Sequence, residues 1–210
     1  MKKLFKRIRK KVLNLITNDE VTGVILCGGH SSRMGFNKAL LQLNGEYVLL
    51  KTAARLRQLL PKVVLMTDDR QNFNVSRKFS AWPIWEDEYH DVGPLGGLTT
   101  ALKRVETPYI FIMACDIPNL SLAAVTQLLN AGTTEQIILY RQQGRIESLF
   151  GLYQRSCLSL FEAQLTLGIG QIRYNFSSMN VKLLDDSPTE LCNINTPAEL
   201  PGWRTKKIMR

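Results

Sequence analysis

The sequence predicts an α/β fold built on a mainly parallel sheet covered by helices. Three observations carry this. Short apolar runs recur along the chain from residue 21 onward. They are near-continuous in apolar residues, as expected of strands buried on both faces. Helical patterns stand between them, and that βαβ alternation implies parallel strands joined by crossover helices.

The elements follow in order. "VTGVILC" (21–27) is the first expected strand. Asn44-Gly45 marks a turn, and residues 47–60 carry Val48, Leu49, Thr52, Ala53, Leu56, Leu59 and Leu60 at helical spacing until Pro61 stops them. "KVVLMT" (62–67), "WPIW" (82–85) and "YIFIMAC" (109–115) read as further strands, with helical patterns at about 96–104 and 121–130. Later strands are expected at "QIILY" (136–140), "SLFGLY" (148–153) and "MNVKLL" (179–184), with a helix over 155–167. No repeat, low-complexity tract or linker divides the chain. The expected organisation is an arm at 1–20, one domain at 21–203 and a basic tail at 204–210.

The arm differs from everything after it. "MKKLFKRIRKKVLNLITNDE" holds seven Lys/Arg against Asp19 and Glu20, a net +5 of the chain's formal +9. Leu4, Phe5, Ile8, Val12, Leu15 and Ile16 fall at helical spacing among the basic residues. Lys10 and Lys11 interrupt the apolar region, which excludes a secretory signal. Such a segment is either a solvated arm or a basic amphipathic helix, for which residues 1–17 would meet an anionic membrane surface or a partner protein. The rest of the chain carries only +4, a mild surplus that suits phosphate-bearing ligands and is weak evidence for nucleic-acid binding, so no nucleic-acid partner is expected. No apolar run approaches the length of a bilayer span. The four cysteines, at 27, 115, 157 and 192, form no metal or redox spacing motif and read as reduced thiols of a cytoplasmic protein.

Chemistry concentrates in "LCGGHSSRMGFNK" (26–38). Gly28 and Gly29 follow the first strand, where glycine lets the backbone turn and approach a ligand. Backbone N–H groups, Ser31, Ser32, the Arg33 fork and the Lys38 point charge together suit a polyphosphate. Neither the P-loop nor the dinucleotide fingerprint is present. "CDIP" places Asp116 at the carboxyl end of a buried strand, where open α/β sheets bind ligands. A carboxylate opposite a phosphate loop is suited to Mg²⁺, which takes one or two carboxylates plus phosphate oxygens. A turn or helix-cap role for Asp116 is the bland alternative. Asp87, in "WEDEYHDVGPLGGL", could accept from ribose or base, or belong to a solvated acidic loop. Asn193 and Asn195 of "NINTPAEL" precede a Thr196-Pro197 helix entry and divide between capping and a site role.

These motifs together resemble the molybdenum cofactor guanylyltransferases. The resemblance covers about residues 21–200 and rests on "LCGGHSSRMGFNK", "ED" at 86–87, "GPLGG" at 93–97, "CDIP" at 115–118 and "NINTP" at 193–197. It implies a three-layer α/β/α, Rossmann-like nucleotidyltransferase domain. It also implies an enzyme that joins GMP, from GTP, to molybdenum-bearing molybdopterin and releases pyrophosphate, with Mg²⁺ as cofactor. Leu26, Cys27, Gly28, Gly29 and Lys38 match the family's GTP-binding loop, and Arg33 its functional arginine. Asp87 would contact the nucleoside; Asp116 would bind metal and nucleotide. Asn193 and Asn195 match asparagines near the metal and the pterin, and Arg173 would supply charge to the pterin phosphate. Cys27 stands where the family usually has Ala, and Thr67 where some members place an Asn against the nucleotide. An acceptor molybdoenzyme or its chaperone would be a transient partner. Alternatives are a molybdopterin cytidylyltransferase, another nucleotidyltransferase of this fold, and a non-catalytic pterin-binding adaptor. "GG" after "LC", and "CDIP", favour guanine; intact Gly28, Lys38 and Asp116 favour catalysis.

Overall fold

A computed structural model of the chain describes residues 15–28, 37–117, 119–132, 134–185 and 187–188. The first fourteen residues of the arm, Gly29, Ser31, Ser32, Arg33, Asn193, Asn195 and the tail at 204–210 lie outside the described residues.

Strand β1 (Val21–Leu26) is buried along its whole length. A tight hairpin follows, β2 (Gln42–Leu43) and β3 (Glu46–Tyr47). Its turn is the expected Asn44-Gly45, with φ of 52° and 79°, the left-handed pair that matches the twist of a two-residue hairpin. Helix α1 (Val48–Arg57) leads to β4 (Lys62–Thr67), then to β5 (Ile84–Glu86). Helix α2 (Pro94–Arg104), β6 (Tyr109–Ala114) and α3 (Leu122–Ala131) come next. Strands β7 (Ile137–Gln142) and β8 (Arg145–Gln154), helix α4 (Leu158–Thr166) and β9 (Val181–Asp185) complete the described chain.

Among the described residues, seven strands form one sheet in the order β5-β4-β1-β6-β8-β7-β9. β5, β4, β1 and β6 are mutually parallel, and β9 is parallel to β7. Only β8 runs against its neighbours. The cause is local. Two residues, Gln143 and Gly144, join β7 to β8 with φ of 50° and 78°. So short a link permits only an antiparallel return. The expected strand at 82–85 is shifted to Ile84–Glu86. Pro83 has no N–H to give to a ladder, although its carbonyl still accepts from Leu65 N at 2.9 Å.

Alternate residues of the strands feed two apolar clusters. Ile25, Leu65, Phe111, Met113 and Ile138 pack with α1 and α3; Val24, Met66, Ile110, Ile112 and Leu139 pack with α2 and α4. That is the three-layer α/β/α arrangement. The end of the expected arm is part of this packing. Ile16 is 8% exposed within the first cluster. Thr17 and Glu20 close a reciprocal cap, with Thr17 N and Oγ1 donating to Glu20 Oε2 at 3.0 and 2.9 Å. Residues 15–20 therefore pack with the domain, where the sequence pattern had grouped them with the arm. The change comes from burial of one isoleucine, which helical spacing alone assigns to an amphipathic face. No helix among the described residues is long and apolar enough to cross a membrane.

Candidate active site

The sheet reverses its winding between β1 and β6: β4 and β5 extend from one side of β1, and β6 lies on the other. Ligands of open α/β sheets bind outside the carboxyl ends at such a point. The residues that leave the two strands there are Cys27-Gly28 and Cys115-Asp116.

Backbone pairing continues past the strand ends. Cys27 N donates to Met66 O at 2.7 Å, Cys115 N to Leu26 O at 3.0 Å, and Asp87 N to Thr67 O at 2.8 Å. The ends of β5, β4, β1 and β6 are thus held in one row. Leu26 and Cys27 are buried, and Gly28 is exposed. A Cβ on Gly28 would lie 2.9 Å from Asp68 N. The backbone approach is closed to any larger residue, which is the physical need for glycine at this position.

Lys38 opens a short 3-10 helix (Lys38–Leu40) capped by Asn37, whose Oδ1 accepts from Ala39 N at 3.0 Å. Its Nζ stands 3.6 Å from Asp116 Oδ2. The side chains are 21% and 18% exposed, so the pair is mostly withdrawn from water. Asp116 Oδ1 is buried and has no hydrogen-bond partner among the described residues. Burial raises the Asp116 carboxyl above its ordinary range, and Lys38 only partly offsets that. An ionised carboxylate oxygen without a donor is costly to bury. A cation or a ligand donor at this point would satisfy it.

Asp87 is the second carboxyl expected from the sequence. Its Oδ1 accepts from Tyr89 N at 2.9 Å and from Thr100 Oγ1 at 2.8 Å. Oδ2 lies over the first turn of α2, 2.8 Å from where a Gly96 Cβ would stand. Burial raises its pKa, opposed by the Tyr89 and Thr100 donors. Gly93, with φ of 68°, and Pro94 bring the helix in beneath this carboxylate.

Thr67 differs from the expectation of a side chain directed at a nucleotide. It is 1% exposed, its Oγ1 donates to Asp69 O at 3.1 Å, and its carbonyl is taken by Asp87 N. The side chain facing Gly28 from the end of β4 is instead Asp68. A period-2 reading of β4 with its last residue counted would have found it. Arg173 is exposed on the 3-10 stretch Ile172–Ser178. That loop is braced against the turn before α2, since a Cβ on Gly170 would meet Val92 O at 2.5 Å. Arg173 thus lies on a different element from both Lys38, on its 3-10 helix, and Asp116, past the end of β6.

A family model for the MobA-like NTP transferase domain matches residues 23–175, which span all of this site. The chain belongs to the MobA-like NTP transferases.

Relatives of this nucleotidyltransferase agree over nearly their whole lengths. A probable molybdenum cofactor guanylyltransferase of Carboxydothermus hydrogenoformans is 32% identical over 190 residues, covering 85% of this chain and 92% of that protein. The molybdenum cofactor guanylyltransferase of Vibrio campbellii is 30% identical over 186 residues, covering 86% and 93%. Among solved structures, the molybdopterin-guanine dinucleotide biosynthesis protein A of Archaeoglobus fulgidus superposes with a TM-score of 0.67 at 20% identity, over 78% of this chain and 83% of its own. A protein of Aquifex aeolicus reaches 0.71 at 23% identity, over 86% and 95%. The two structures share the three-layer fold described above.

Proposed function

We propose that this MobA-like enzyme transfers GMP from GTP to molybdenum-bearing molybdopterin, forming the guanine dinucleotide cofactor and pyrophosphate. The observation that carries the reading is the Lys38–Asp116 pair at 3.6 Å beside Gly28, with a buried Asp116 oxygen that has no donor among the described residues. The base and the acceptor rest on the motif set and on the names of the relatives.

An oxygen of the terminal pterin phosphate attacks the α-phosphorus of GTP in line. The bond from that phosphorus to the bridging oxygen of the β-phosphate breaks, and pyrophosphate leaves. Little covalent work falls to the protein, so positioning and charge dominate. Gly28 lets backbone N–H groups come close to the triphosphate. Lys38 neutralises charge on the departing phosphates, with Arg33 of the same loop assisting. Asp87, whose Oδ1 Tyr89 and Thr100 hold still, contacts the nucleoside. Asn193, Asn195 and Arg173 are assigned to the pterin side.

The donor set fits Mg²⁺. One carboxylate with an unsatisfied buried oxygen, next to a phosphate loop, matches an ion that keeps most of its sphere for water and phosphate. Asp116 would hold it, and when bound it supplies positive charge to the phosphate oxygens. A cytoplasmic reaction fits the nucleotide substrate and the free thiols among the described residues. An acceptor molybdoenzyme or its chaperone would then receive the product.

Pyrophosphate release measured with GTP, CTP and ATP in the presence of molybdopterin tests this reading. A clear preference for GTP is expected. A higher specificity constant for CTP would move the chain to the cytidylyl branch, and no turnover with any nucleotide would leave an adaptor.

A further inference from the structure

Two cysteines meet where the proposed reaction uses neither thiol. β1 and β6 pair in parallel with Leu26 opposite Ala114. The next residues along the two strands are Cys27 and Cys115, still joined through Cys115 N and Leu26 O at 3.0 Å. Side chains at matched positions of neighbouring strands leave the sheet on one face. Both thiols indeed pack into the cluster beneath α1 and α3, where Cys27 Sγ donates to Ile25 O at 3.2 Å. Adjacent strands lie about 4.8 Å apart, within the roughly 4.4–6.8 Å between Cα atoms that a disulfide spans. Cys27 is buried and Cys115 half-buried, so the outer thiol meets solvent first. Cys157 belongs to the opposite face of the sheet, where burial pushes its thiol up to about 12.

We propose that Cys27 and Cys115 form a reversible disulfide that turns the enzyme off under oxidation. The oxidant is hydrogen peroxide. Cys115 Sγ attacks the peroxide, the O–O bond breaks, and water leaves behind a sulfenic acid on Cys115. Cys27 Sγ then displaces that hydroxyl as a second water, closing the S–S bond. Two thiols lose two electrons and two protons, and the peroxide takes up both. A low-molecular-weight thiol reverses the bond by exchange.

The consequence follows from the neighbours. Gly28 comes directly after Cys27, and Asp116 directly after Cys115. The Cα spacing suits the bond, but a disulfide holds its Cβ atoms about 3.8 Å apart, closer than the roughly 4.8 Å strand spacing. Bond formation therefore pulls the two strand ends towards each other. Gly28 has no slack to absorb that, because Asp68 N already occupies the space where a Cβ would stand. GTP binding and transfer therefore fall together. The bridge itself does not depend on the reaction proposed above; its effect on transfer does.

The test treats the full-length protein with hydrogen peroxide. Titratable thiols of the denatured chain should fall from four to two. Non-reducing peptide mapping should recover a Cys27–Cys115 cross-link. GTP affinity, measured by titration without pterin, should drop at least several-fold and return with dithiothreitol. Cys115→Ala should keep basal activity and GTP affinity and lose the response to peroxide. A cross-link to Cys192 instead, no cross-link, or a bridged protein with unchanged GTP affinity would overturn the proposal. A bridge with weakened GTP binding in a protein that never transfers GMP supports the switch and refutes the activity assigned above.

Discussion

Replacing Asp116 by Asn should abolish transfer and leave the protein at least as stable as before. The two effects are opposed because one carboxylate serves chemistry at the expense of folding. At an effective dielectric near 20, charges 3.6 Å apart attract by about 4–5 kcal/mol before solvation is counted. Burial nevertheless holds the Asp116 carboxyl above its ordinary value of 3.8, so desolvation is the larger influence. The amide removes the buried charge and keeps the shape. Lys38 is 21% exposed and can turn to water. Each kcal/mol recovered would raise Tm by about 2–4 °C in a chain of this size. The sign with pH follows from the raised pKa. In the wild-type protein Asp116 favours the fold below pH 3.8, and that contribution is lost as pH rises through the higher folded value. Asn has no such loss. The Tm difference, mutant minus wild type, should therefore be larger at pH 7.5 than at pH 4. Activity moves the other way. Losing the group assigned to the cation should cost several kcal/mol of transition-state stabilisation, or at least about a hundred-fold in kcat/KM. Calorimetry at both pH values and pyrophosphate release at limiting Mg²⁺ are the assays. A mutant less stable at pH 7.5, or one with wild-type turnover at limiting Mg²⁺, would refute the reasoning.

Lys38→Ala should weaken GTP binding by about ten-fold to a hundred-fold, the worth of a charge-assisted contact of roughly 1.5–3 kcal/mol; unchanged titration curves would remove the loop from phosphate binding. Gly28→Ala sets a Cβ 2.9 Å from Asp68 N, so backbone must yield by roughly 0.5 Å at a cost of about 1–3 kcal/mol, with GTP affinity reduced. A wild-type Tm together with wild-type GTP affinity in Gly28→Ala would contradict the close approach. Deleting residues 1–14 should leave transfer to free molybdopterin nearly intact and reduce salt-sensitive cosedimentation with anionic vesicles, each basic residue near the surface being worth about 1 kcal/mol. Extending that deletion through Ile16 should cost about 2 kcal/mol more in stability, since it strips a buried isoleucine from the core.

Much of this protein is written in local pattern. β4 runs over Lys62–Thr67 as the apolar run predicts, with Val63, Val64, Leu65 and Met66 all buried as a strand covered on both faces requires. The Asn44-Gly45 turn is equally local, since few other residues accept positive φ twice in succession. Gly28, Asp87 and Asp116 stand out because glycine and acid just past strand ends have few structural reasons to be there, and Lys38 because it follows the glycine loop. What the sequence alone leaves open depends on which strands become neighbours. The reversal at β8 follows from the two-residue Gln143-Gly144 link, yet its place between β6 and β7 is decided by the whole sheet. Thr67 and Asp68 are adjacent in sequence, and only the turn after β4 sends one inward and the other towards Gly28. Ile16 reads as the last apolar residue of an arm until Gly132 and Ile138 are brought beside it. Cys27 and Cys115 are 88 residues apart and share no motif. Only the parallel register of β1 and β6 sets their thiols side by side. Periodicity reports what one segment needs from its surroundings, whereas contacts between distant segments depend on the order in which the strands assemble.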